Sequence, residues 1–336
     1  GIFVYEFLRK LIMKHSVVRF FGKCILATVP LLALCLFTAL FPFGYMDEEY
    51  PSWKYQKDAS MDDTSYNTLI LGDSTAKAGL IPDLLSDEVI NLSMGGSTPI
   101  EIYYTLERYL EQHEAPENAF IMFTPYHYSF LDTFWQRTMY FNYLSIDEAC
   151  EVLLNANKVS EEAILTDTYL LDSISYRLRL PNKYLPAMYN SGFIGRRGTN
   201  NEIYSAIEAN RGQYYFGTAD GCSDYNYESN YTALNLSPMV DLYMRKLLDL
   251  CETNNINVVL EQAPMNTASY NRLDPVYVEE YTAYMTLLAN DYPAIKIDKI
   301  IDHYEDAYFG DASHLNEKGA TRFTQEILSE YPDIFH

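Results

Sequence analysis

The sequence predicts an α/β fold, a mostly parallel sheet held between helical layers as a three-layer sandwich. One transmembrane helix precedes it and a tyrosine-rich insertion interrupts it. Three observations carry this reading. Short apolar segments alternate with capped helical segments on both sides of residues 126–236. Residues 24–46 hold no charged side chain, and 14 of the 31 tyrosines fall between 126 and 236. Strand–helix alternation builds parallel sheets covered on both faces, with active residues beyond the carboxyl ends of the strands.

The N-terminal elements come first. Residues 1–23 carry Arg9, Lys10, Lys14, Arg19 and Lys23 against Glu6, a balance of +4, and read as a cytoplasmic basic flank. The run CILATVPLLALCLFTALFPFGYM (24–46) follows. At 1.5 Å per residue its length is about 35 Å, enough for a hydrocarbon layer of about 30 Å. Basic residues before it and Asp47, Glu48 and Glu49 after it place the N-terminus in the cytoplasm and the body outside, in a single-pass plasma-membrane protein. A cleaved signal peptide has a shorter apolar core that ends in small residues. A lipoprotein signal needs a small residue before its cysteine, and Leu34 precedes Cys35. The chain opens on Gly1, and Met13 heads a tidy basic flank, which leaves open a natural start downstream of residues 1–12.

Residues 47–66 are polar and irregular and read as a linker, which makes 67–336 the body. Within it, 68–71 (TLIL) is a first strand that runs into Gly72-Asp73-Ser74. Residues 89–92 form a second, ending at Ser93-Met94-Gly95-Gly96. Thr98-Pro99-Ile100-Glu101 is a capping box with proline at the first helical position, before Ile102, Leu106 and Leu110 at helical spacing. Residues 119–123 (AFIMF) are a third strand. After the insertion, Ser237-Pro238 starts a helix to about Thr253, 256–260 (INVVL) is a strand, and a helix follows from Pro275 to about Ala289. A weak strand at 294–297 and a helix capped by Asn316 complete the chain.

With 24 basic and 46 acidic residues the chain carries −22, and the +4 of residues 1–23 leaves −26 on the rest. Such a body repels polyphosphate and excludes nucleic acid as a partner. Cys24 and Cys35 lie in the apolar run, and Cys150, Cys222 and Cys251 form no paired motif. No residue pattern calls for a cofactor or metal. The acidic cluster Asp302, His303, Glu305, Asp306 and Asp311 lacks metal-site spacing and reads as a solvated face.

Three places supply chemistry. Ser74 sits at a strand-to-helix turn, where a serine is exposed and a helix N-terminus favours negative charge. In isolation, Asp-Ser after a strand is ordinary capping chemistry. A serine nucleophile needs a base, and histidine oriented by a carboxylate is the usual one. Asp311-Ala312-Ser313-His314 presents that pair three residues apart, in a loop entering the last helix. Gly95-Gly96 after the second strand lets a backbone N–H approach a substrate oxygen, or is merely a tight turn.

Together these residues resemble the SGNH (GDSL) hydrolase superfamily. That family joins Gly-Asp-Ser near the domain start to Asp-x-x-His near its end. The resemblance covers 68–125 and 237–330 and implies Ser74 as nucleophile, His314 as general base and Asp311 as its orienter. Asn91-Leu92-Ser93-Met94-Gly95-Gly96 resembles the second family block and implies oxyanion donors at Gly96 and Ser74. The family usually offers asparagine after the third strand, where this chain reads Thr124-Pro125-Tyr126-His127-Tyr128. His127 or Tyr126 is a candidate third donor, with a purely structural His127 as the alternative. Tyr126 and Trp135 are candidates for a sugar-stacking platform, against the commoner use of aromatics in a core. Arg196 and Arg197 are candidates for an anionic substrate group, against a salt-bridged loop.

The layout of anchor plus outer domain is similar to membrane-anchored SGNH proteins of alginate O-acetylation and teichoic-acid D-alanylation, which act beside an MBOAT-class membrane acyltransferase. It implies an extracytoplasmic serine O-acyltransferase acting on a cell-surface polysaccharide. The rivals are an esterase of the same glycans and a glycan-binding scaffold module without turnover.

Overall fold

The computed structural model describes residues 2–335, with side chains from Lys14 onward; the side chains of Arg9 and Lys10 in the basic flank lie outside the described residues, as does Gly1. Helix α1 (Ile2–Leu40) is followed by a turn and α2 (Tyr50–Ala59). Next come β1 (Thr68–Gly72), α3 (Ser74–Gly79), α4 (Pro82–Leu85), β2 (Val89–Asn91), α5 (Pro99–Gln112) and β3 (Asn118–Met122). Helices α6 (Ile146–Val159), α7 (Tyr169–Arg177), α8 (Pro181–Asn190) and α9 (Arg197–Ala209) lie within residues 126–236. The chain closes with α10 (Pro238–Thr253), β4 (Asn257–Glu261), β5 (Met265–Asn266), α11 (Thr267–Tyr270), α12 (Pro275–Asp291), β6 (Lys296–Ile297), β7 (His303–Tyr304) and α13 (Glu317–Glu330).

The chain is a mixed α/β fold. Five parallel strands form the central sheet in the order β2-β1-β3-β4-β6, and β5 and β7 form a separate parallel pair. Alternation along β1 divides two cores. Leu69 and Leu71 face one with Ile121 and Leu260, while Ile70 faces the other with Phe120 and Val259. Helices α5 and α10 pack together over the first face, and α13 packs with α3 and α4 on the second. Strands buried on both faces must be apolar throughout, which is why TLIL and AFIMF are legible as runs without polar alternation.

Helix α1 is long and apolar enough over Lys14–Leu40 to cross a membrane. It ends earlier than the charge-free run. Pro42 opens a short 3-10 turn, and Tyr45 and Met46 are buried in the body, so residues 41–46 belong to the junction and not to helix α1. Tyr45 donates its hydroxyl to Thr38 O at 2.6 Å, tying the junction to the last turn of α1.

The expected linker at 47–66 is corrected. Its central part is α2, and Tyr50, Trp53 and Gln56 at helical spacing point into the larger core. Trp53 packs edge-on against Phe141 and Tyr143. Gln56 is fully buried, donating to Thr105 Oγ1 at 3.0 Å and to Leu92 O, and accepting from Tyr143 Oη at 2.6 Å. The buried face of α2 is aromatic and amide, so a scale that counts those residues as polar does not see it.

Residues 126–236 are also more integral than an irregular insertion. Tyr128, Tyr143 and Tyr184 are fully buried in the core shared with α5 and α10. Replacing Trp53 with alanine is expected to lower stability by about 3–5 kcal/mol, measured by denaturant unfolding of the full chain in detergent. A flexible linker predicts a change within about 0.5 kcal/mol.

Candidate active site

Strand β1 delivers Asp73 and Ser74 beyond its carboxyl end. Asp73 caps α3, and its carboxylate is fully buried. Its Oδ1 accepts from Thr75 N (2.8 Å) and Thr75 Oγ1 (2.6 Å), and its Oδ2 accepts from Thr124 N (2.7 Å) just past β3. A buried carboxylate with charge-assisted bonds on both oxygens holds the two strand ends in register. Ser74 is the first residue of α3 and stands half-buried on the cleft floor.

The loop before α13 brings the other end of the chain to the same point. His314 Nε2 lies 2.7 Å from Ser74 Oγ, and His314 Nδ1 lies 2.7 Å from Asp311 Oδ2. Asp311 Oδ1 also accepts the backbone N–H groups of Ser313 and His314, both at 2.8 Å. Burial alone raises the Asp311 carboxyl, but the hydrogen bond and charge of His314 and the two backbone donors outweigh it, leaving its pKa below the ordinary value. Phe216 lies against the His314 ring, with centroids 4.8 Å apart.

The cleft has a volume of about 270 Å³, and its walls include Glu49, Ser74, Gly96, Thr124, Phe216 and His314. Gly96 has φ +73°, and a β-carbon there would sit 2.8 Å from Thr133 Cγ2 and 2.5 Å from Arg137 Nη1, so only glycine fits. Trp53 Nε1 and Arg137 Nη1 both donate to Gly95 O, at 3.1 and 2.6 Å. In a planar trans peptide the N–H points opposite to the C=O. Fixing Gly95 O from behind therefore fixes the direction of the Gly96 N–H. Thr133 Oγ1 donates to Gly96 O at 2.6 Å and holds the next peptide.

Two more carboxylates stand at the cleft, Glu49 partly buried and Glu228 fully. Arg137 Nη2 pairs with Glu49 Oε1 at 3.5 Å, and burial pushes the Glu49 carboxyl above its usual range against the pull of Arg137. Burial likewise raises Glu228.

The sequence candidates divide. Ser74, His314, Asp311 and Gly96 meet in one place. Tyr126 lines the cleft, stacked on Phe130 with its hydroxyl 3.2 Å from Asp132 Oδ2. His127 is buried in the cleft wall, with Nε2 3.7 Å from Asp73 Oδ2 and Nδ1 without a protein partner. Trp135 does not reach the cleft. Its indole N–H donates to Ile164 O at 3.2 Å and its ring stacks on Tyr176, so its N–H edge and one ring face are engaged inside the fold. Arg196 and Arg197 also lie elsewhere, where α1 meets the body, and the Arg196 N–H donates to Gly44 O at 3.2 Å. The acidic cluster is dispersed, with His303 stacked on Tyr270 and Asp311 turned to His314.

Sequence reading missed Trp53, Arg137, Thr133 and Phe216. Their contacts to Gly95, Gly96 and His314 span tens of residues, and no local motif marks them. It also missed Lys77 on α3, which is fully buried and donates to Gly212 O at 2.7 Å and Ser93 O at 3.3 Å. Burial pulls its pKa down to about 7. The unfolded chain keeps that proton up to about pH 10.4. Between the two values the unfolded state binds more protons, so stability rises with pH. Unfolding measured from pH 7 to 9.5 is expected to show this rise, and Lys77→Met is expected to remove most of it.

No protein-family model matches the chain, and no curated protein matches it.

Proposed function

We propose that this chain is an SGNH-like serine O-acyltransferase, anchored in the plasma membrane by α1 with its body outside, acting on a cell-envelope polysaccharide. The carrying observation is the unbroken relay Ser74 Oγ–His314 Nε2–His314 Nδ1–Asp311, 2.7 Å at each junction. Its order along the chain and its place beyond β1 agree with the SGNH arrangement, in which residues 126–236 are an insertion into the three-layer fold.

In the proposed reaction Ser74 Oγ attacks the acyl carbonyl carbon while its proton passes to His314 Nε2. Asp311 holds the Nδ1–H and steadies the imidazolium. The Ser74 and Gly96 N–H groups receive the developing oxyanion. Collapse breaks the bond to the donor alcohol, which leaves with the proton from His314, and the acyl group stays on Ser74. His314 then takes the proton of an acceptor hydroxyl, whose oxygen attacks the acyl-serine and regenerates Ser74. A sugar hydroxyl as acceptor makes the enzyme a transferase, and water makes it an esterase. An MBOAT-class membrane acyltransferase is the proposed source of acyl groups, by the likeness in layout alone.

Rapid mixing of the full chain with an activated acetyl ester tests this. One equivalent of alcohol released in a burst that then stalls is the transferase outcome, and steady release after the burst is the esterase outcome. Ser74→Ala is expected to lower turnover by about 10³-fold or more without unfolding the chain, and full activity in that variant overturns the assignment. Arg137→Gln removes one of the two donors on Gly95 O. It is expected to lower kcat by about tenfold, with KM nearly unchanged, because the oxyanion exists only in the transition state.

A further inference from the structure

The α7–α8 hairpin inverts the usual rule for a surface helix. Leu170, Leu171, Ile174 and Leu178 recur at helical spacing, and each is more than half exposed. The inward face of α7 carries Ser175 instead. Tyr189 on α8 and Phe193 in the loop behind it continue the apolar surface, also more than half exposed. An amphipathic segment with its apolar face outward needs a covering, because contiguous exposed apolar patches of this kind mark an interaction surface.

Position and charge identify the covering. Helix α8 packs on α1, and Tyr184 of α8 meets Tyr45 edge-on. Ile194 lies against Gly44. Leu34 and Phe37 of α1 are already packed against the body, six and three residues before the helix ends at Leu40. Six residues of helix rise about 9 Å. With the outer edge of the hydrocarbon layer near Leu40, a body that touches α1 that far down enters the membrane boundary by about the depth at which interfacial helices lie, 5–10 Å. A cavity of about 530 Å³ lined by Phe37, Leu40, Phe41, Phe43 and Ile194, with Arg197 on its rim, opens at the same junction. Residues 169–197 carry Arg177, Arg179, Lys183, Arg196 and Arg197 against Asp172 alone, in a body that is otherwise strongly acidic. Arg196 and Arg197 are exposed beside the apolar face.

We propose that the α7–α8 hairpin and its following loop lie in the surface of the bilayer, with the exposed apolar face among acyl chains and Arg196 and Arg197 among lipid phosphates. The chain would thus hold the membrane by a platform as well as by a span, which fixes the tilt of the body and the height of its cleft. The proposal rests on the reading of α1 as a membrane span.

The test uses the full chain in nanodiscs of phosphatidylcholine and phosphatidylglycerol, with and without brominated acyl chains that quench tryptophan on contact. Leu171→Trp and Phe193→Trp report the platform, Leu32→Trp reports the span, and Leu287→Trp reports an exposed site on α12. Each is read as the loss beyond that of the unsubstituted chain. The platform tryptophans are expected to lose about half of their emission or more, as does Leu32→Trp, while Leu287→Trp is unchanged. Quenching of Leu32→Trp with platform tryptophans that behave like Leu287→Trp overturns the proposal and makes a protein partner the covering. An unquenched Leu32→Trp overturns the membrane span itself, and the platform with it.

Discussion

The buried carboxylate of Asp73 is the constraint on which the site depends. It is fully enclosed, and its two oxygens are shared between the start of α3 and Thr124, just past β3. A charge in that position persists only when its hydrogen bonds are complete, and removing a partner leaves an expensive orphan. The turn after β1 is therefore held in one geometry, and Ser74 stands at its crest with its hydroxyl toward His314. The Gly-Asp-Ser turn thus has a division of labour in which the aspartate builds the turn and the serine faces the cleft.

A second constraint acts from the opposite wall. Gly95 O is held by Trp53 from α2 and by Arg137 from the tyrosine-rich region, so the peptide that presents the Gly96 N–H is fixed by two segments far apart in sequence. Arg137 also reaches Glu49, which stands just after the junction with α1. The junction after α1, α2 and the 126–236 region therefore converge on one loop. Under the proposed reaction they set the oxyanion geometry, while β1 and the loop before α13 set the nucleophile and base.

What was legible in the sequence follows from the range of each interaction. The strands were readable because both faces of β1 and β3 are buried, leaving unbroken apolar runs. Thr98, Ser237 and Asn316 marked helix starts because capping is decided within four residues. Ser74 and the pair Asp311–His314 were readable because each motif is local, although their meeting across 240 residues was implied only by resemblance. Helix α2 was not readable, since its core face is Tyr, Trp and Gln. Trp135, Arg196 and Arg197 are substrate-binding candidates by residue type, yet they stand away from the cleft, because residue type says nothing about which surface a side chain faces.

The central claim is that Ser74 is a nucleophile activated by His314. A fluorophosphonate reports it directly, since attack on phosphorus expels fluoride and leaves a stable adduct that intact mass and peptide mapping locate. The account predicts one adduct per chain, on Ser74, formed at least about 100-fold more slowly in His314→Gln. An adduct on another serine, no adduct, or labelling of Ser74 that is indifferent to His314 would contradict it.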